Sequence, residues 1–190
     1  MRHLRLLTVA AVLLALAPVG AASAAPDRSL VVAAGETATW DGAPALGANA
    51  YYYGVTGPPA PSAVGPVSSG TCSKDIHHYC EQVLVELRNP LTQADIDKGI
   101  TERYRNVVVF LSDYGPVPDP ATDFDLLMFA SDKNGIVGQE LDGDGDATDT
   151  ARETVSADIQ TTATEPSVYV LIRVVYFTSV NSGYKATVSF

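Results

Sequence analysis

Histidine is scarce in this sequence, with three residues in 190, and His3 belongs to an N-terminal stretch that reads as a leader. Only His77 and His78 remain to serve a Ser-His-Asp arrangement, and no G-x-S-x-G accompanies them. H-E-x-x-H is missing as well, which removes the commonest zinc-protease signature. Basic charge is short too: 12 Lys and Arg stand against 22 Asp and Glu. So acidic a chain repels phosphate backbones, and nucleic acid is excluded as a natural partner. Helical periodicity is nearly lacking, and no internal repeat has a solenoid or propeller period. Beyond the leader no apolar run is long enough to span a membrane; Val168 to Phe177 is too short and contains Arg173.

The leader itself has three parts in order. Arg2, His3 and Arg5 make a positive start, Leu6 to Leu16 is apolar, and Ala22-Ser23-Ala24 offers the small residues a signal peptidase accepts. The apolar stretch falls short of the roughly 20 residues a membrane span needs. The expectation is a signal peptide over 1–24, a secreted product, and one domain over 25–190. Removing Arg2 and Arg5 moves the formal charge from −10 to −12.

Only two cysteines are present, Cys72 and Cys80. In an exported protein a disulfide between them is the expected state. It would close a short loop, so pinning the start of a strand is a better role for it than large stabilisation. Cys72, His77, His78 and Cys80 are also four zinc-capable side chains, although adjacent histidines reach one tetrahedral ion with difficulty.

What the sequence does contain is strand pattern. Val83, Val85 and Leu87 alternate with polar or exposed positions, as do Val155, Ala157 and Ile159, and Tyr184, Ala186, Val188 and Phe190. Period two gives each strand one buried and one wet face. Val107–Leu111, Phe124–Phe129 and Val168–Phe177 are apolar on both faces and read as central strands covered on both sides, or as strands whose outer face meets a loop. Leu30–Ala33, Thr37–Trp40 and Tyr51–Val55 are shorter candidates. The fold class expected is all-β, a jelly-roll-like antiparallel β-sandwich of about eight or nine strands with Trp40 in the core. One short helix is expected over Leu91–Gly99, capped by Thr92 with Asp95 three residues on and ended by Gly99. The Pro-rich stretch from Gly54 to Gly70 reads as a long surface loop.

Half of the carboxylates, 11 of 22, fall between Asp113 and Glu153, where only Lys133 and Arg152 oppose them. Within this stretch Asp142, Asp144 and Asp146 occupy loop positions one, three and five, Thr148 position seven and Glu153 position twelve. That is the ligand spacing of an EF-hand calcium loop. Ala147 stands where glycine is usual, Asp149 where an apolar residue is usual, and no flanking helices are expected. The reading is therefore an EF-like acidic turn between two strands, binding structural Ca2+, with Asp149 able to replace Glu153 as a ligand. A second acidic pair, Asp123 and Asp125, lies on one side of a strand about 6.5–7 Å apart. It is either a separate cation site, a part of the first, or a strand edge facing water.

Several of these segments together resemble the bacterial pre-peptidase C-terminal domain family. Gly35–Gly42 is similar to its opening strand, Asp123–Phe129 to its D-x-D-L strand, and Glu153-Thr154-Val155 to the start of a later strand. Tyr169–Val174 and Gly183–Val188 are similar to its final hairpin. The resemblance implies a jelly-roll sandwich without catalytic activity, from a group whose relatives bind calcium, collagen or carbohydrate beside secreted peptidases. The function expected is a non-catalytic, calcium-stabilised module binding an extracellular polysaccharide or a secreted protein partner, with Tyr51, Tyr52 and Tyr53 as candidates for its binding face. The alternative is a secreted hydrolase or inhibitor on the same scaffold, which would need an acid pair or nucleophile in a cleft.

Overall fold

A computed structural model of the chain describes residues 25–47, 72, 79–114, 122–145 and 152–190. The leader, the candidate strand and tyrosines at 51–55, the loop at 54–70, and His77 and His78 lie outside the described residues.

Among the described residues nine strands form an all-β, jelly-roll-like sandwich. Five strand segments make the first layer. They are β1 (Arg28–Ala33), β4 (Cys80–Arg88), the leading part of β9 (Ser167–Ser189), β6 (Asp123–Ser131) and β7 (Val137–Asp144), side by side in that order. The second layer runs β2 (Thr37–Asp41), the trailing part of β9, β5 (Glu102–Tyr114), β8 (Arg152–Thr162). A short β3 (Ala45–Gly47) pairs with β9 near Ser179–Ser182, where β9 passes from one layer to the other. Asn181 takes φ 63° at this corner, a left-handed conformation that Asn tolerates better than most residues. Successive strands hop between layers: β1 to β2, β4 to β5, β5 to β6 and β7 to β8. Pairing is antiparallel throughout except for β1 on β4, which is parallel.

The space between the layers is filled by the inward set of each strand. Val83, Val85 and Leu87 of β4, with Ile172 and Val174 of β9, share one core with Val107, Val109 and Leu111 of β5 and Ala186 and Val188 of β9. Trp40 joins them. Its indole N–H donates to the Tyr184 hydroxyl at 3.3 Å, and that hydroxyl donates to buried Glu81 at 2.7 Å. The two-sided burial expected of Val168–Phe177 is found. Val170, Ile172 and Val174 face the inner core, while Leu171 and Val175 join Leu84, Leu127, Phe129, Cys72 and Cys80 in a second cluster on the outer face of the first layer. Two-sided burial of Val107–Leu111 is not found. Phe110 is 43% exposed, because the outer face of the second layer is open among the described residues.

The expected helix is present as α1 (Gln93–Asp97), shorter by residues at each end. Thr92 and Asp95 form a reciprocal capping box, and Gly99 adopts φ +75° just after it.

Candidate metal centre

Antiparallel pairing of β6 with β7 sets Leu126 opposite Asp144, so the start of β6 and the end of β7 share one end of the sandwich. β8 follows β7 in the chain, and its second residue is Glu153. Three strands thereby bring Asp123, Asp125, Asp144 and Glu153 to the same end. A Cβ built on Gly145 would lie 3.2 Å from Asp125 Oδ1, which shows how closely the chain leaving β7 passes over this carboxylate.

Glu153 lies in phase with Val155 and Ile159 on the inward face of β8 and is 1% exposed. Among the described residues neither of its carboxyl oxygens has a hydrogen-bond partner of the usual N–H or O–H kind. Burial pushes its pKa up to about 9, and the adjacent Asp144 carboxyl and the charges of Asp123 and Asp125 push in the same direction. Asp125 is raised to about 7, first by burial and then by Asp123 and Asp144. Burial also raises Asp123. Among the described residues the charges that act on Glu153 and Asp125 are those of aspartates.

Asp142 and Asp144 are not free loop ligands. Both belong to β7, where residues two apart point the same way. Asp142 Oδ2 accepts from Ser156 N–H at 2.7 Å, and Asp144 Oδ2 accepts from Thr154 N–H at 2.8 Å. β7 and β8 are the outermost strands of their layers on this side, so the two aspartates satisfy edge donors of β8 and fasten the layers together. This corrects the expected turn in one respect. The first two acids of the EF-like spacing are strand residues, and Asp142 is occupied two residues away from the cluster around Glu153. Asp146, Thr148 and Asp149 lie outside the described residues. Among the described residues, no three acidic, His or Cys side chains are already gathered at metal-ligating distance.

Glu153 was the least obvious of the proposed ligands in the linear pattern, yet it is the most deeply buried. Its parity with Val155, Ala157 and Ile159 was the available signal. The Glu81–Tyr184–Trp40 chain has no comparable mark, since Glu81 sits in a run whose neighbours are buried on both faces.

Cys72 and Cys80 are joined in a disulfide, with Cα atoms 5.4 Å apart, so neither sulfur is a thiolate available to zinc. No family model matches the chain, and no curated protein matches it.

Proposed function

We propose that the protein is an exported, non-catalytic module that binds an extracellular polysaccharide or a secreted protein through the open face of its second layer, its loop end steadied by calcium. The exposure of that face carries the reading. Phe110 is 43% exposed and stands opposite Thr154 and Thr187, with Ser156 and Ser189 opposite its neighbour Val108, while Tyr104, 63% exposed, stands further along the same strand opposite Gln160. Flat aromatic surface set among hydroxyl donors and acceptors suits sugar rings, which present apolar faces and hydroxyl rims. A groove of about 290 Å³ beside it is lined by Glu36, Thr37, Arg105, Asn106, Val108 and Ser189. It lies at the small end of the range for ligand pockets, so it suits one residue of a polymer better than an enclosed small molecule. The resemblance to the pre-peptidase C-terminal family and the disulfide, which suits an oxidising compartment, support the same reading. Calcium at the acidic turn, through Asp144, Glu153 and the expected Asp146 and Thr148, belongs to the proposal.

A second reading, a secreted hydrolase, is favoured by one observation. Asp125 and Glu153 are two nearby carboxyls with raised pKa values, the pattern of an acid–base pair. Against it, a general acid must reach its substrate, and Glu153 is 1% exposed.

Co-sedimentation with insoluble cell-wall polysaccharides, alongside capture of secreted proteins, tests the proposal. Tyr104→Ala and Phe110→Ala should weaken retention while leaving the melting temperature nearly unchanged. Retention unaffected by both substitutions, or hydrolysis of a bound polymer that Glu153→Gln abolishes, would overturn it.

A further inference from the structure

We infer that Asp123, Asp125, Asp144 and Glu153 form a single calcium site that ties the start of β6, the end of β7 and the start of β8 together. The inference rests on the calcium part of the proposed function and changes which residues hold the ion. The strand pair and the acidic turn become one site, and Asp142 becomes a fastener beside it.

The buried glutamate is the decisive feature. Acids on exposed turns are ordinary, because water solvates them. Glu153 has almost no access to water, and among the described residues neither oxygen has a donor. A carboxylate withdrawn from water and left without a partner is costly, so a fold that retains one supplies either a cation or a proton. Among the described residues no Lys or Arg acts on it, and the acids that do are Asp144, Asp123 and Asp125. A proton shared with Asp144 satisfies one oxygen of Glu153 and leaves two further acids, Asp123 and Asp125, crowding the pair. A divalent cation satisfies both oxygens and turns that repulsion into coordination.

The donor set selects the ion. All four groups offer hard carboxylate oxygens and none offers nitrogen or sulfur, which disfavours zinc and copper. Calcium accepts six to eight oxygens in irregular geometry, a number that mono- and bidentate carboxylates reach with a few waters. Magnesium demands a tighter octahedron and retains its waters, so ligands spread over three strands serve it poorly. The four carboxylates are not gathered at ligating distance among the described residues. Asp123 and Asp125 leave β6 on the side of Leu127 and Phe129, so binding requires this end of the sandwich to rearrange around the ion.

Thermal melts and calorimetric titration of the purified protein with calcium chloride, with magnesium chloride and EDTA as controls, test the assignment. Calcium should raise the melting temperature and magnesium should do so far less. Asp125→Asn and Glu153→Gln should each abolish the calcium-dependent rise. Glu153→Gln in EDTA should melt close to the unsubstituted protein, which shows that it folds without the carboxyl group. Asp142→Asn should lower the melt with and without calcium and keep the rise. A rise that survives Asp125→Asn but disappears in Asp142→Asn would overturn the inference and leave calcium at the turn alone. No rise in the unsubstituted protein up to about 10 mM calcium, well above the affinity range of extracellular modules, would overturn both the inference and the calcium reading.

Discussion

At the scale of single residues the unusual member is Glu153, an acid on the inward face of a strand where its neighbours two and six positions on are Val155 and Ile159. Its ionisation is linked to folding. The ordinary glutamate value of 4.5 is raised to about 9 in the folded chain, and the ordinary aspartate value of 3.8 is raised to about 7 at Asp125. The folded state therefore holds these protons more tightly than the unfolded chain does. Their stabilising contribution is complete below about pH 4 and is lost as pH rises through 7 and then 9. In EDTA the urea midpoint should fall steadily between about pH 5 and pH 9. With saturating calcium the slope should flatten, because the ion replaces the protons. A midpoint that climbs over this interval in EDTA would show that Glu153 and Asp125 ionise without penalty.

At the scale of elements, most of the strands and α1 were legible because their causes are local. Alternation at Tyr184–Phe190 reports a half-buried strand whatever lies opposite, and Thr92 with Asp95 satisfies helix donors three residues apart. The wet face expected of Val83–Leu87 is instead covered, with Gln82 and Leu84 buried beneath the outer cluster. The acidic segment is ambiguous in sequence because two structures share one period. Ligands of a calcium loop recur at every second position, and so do side chains on one face of a strand. Asp142 and Asp144 obey the rule for the second reason, matching the spacing of the Ser156 and Thr154 N–H groups on β8. Phe110 was misplaced for a related reason: an apolar run does not say whether anything covers its second face. The disulfide was legible from cysteine count, and its effect is an element-scale matter. It closes a loop of sequence separation 8 onto the first residue of β4, within the outer cluster. Replacing both cysteines by alanine should lower stability by at most about 2.5 kcal/mol, the chain-entropy value for so short a loop. Urea unfolding with and without the bond measures this, and a loss of several times that size would mean the bond organises the outer cluster rather than a short loop.

At the scale of the whole molecule β9 dominates. It pairs with β4 and β6 in one layer and with β2 and β5 in the other, so neither layer has a centre without it. Val170 sits in the first layer and Val188 in the second, both fully buried. Val170→Ala and Val188→Ala should each cost about 2–3 kcal/mol, the transfer and cavity penalty of two buried methyl-sized groups. Both should shift one and the same transition. Far-ultraviolet and near-ultraviolet signals that separate in either variant would show that the layers melt independently. None of this sharing was visible in the sequence, because a corner such as Asn181–Gly183 carries no mark that distinguishes a hairpin from a strand changing layers.

The same continuity governs how the protein bears tension. A pull applied along β9 is not taken up by one pair of strands unzipping bond by bond. It loads rows of hydrogen bonds on both sides of the strand at once, first against β2 and β5 and then, past the corner, against β4 and β6. Two shear interfaces in series on one continuous backbone make this strand a tie-bar, and force directed along it should meet far more resistance than force directed across β1 or β8 at the margins.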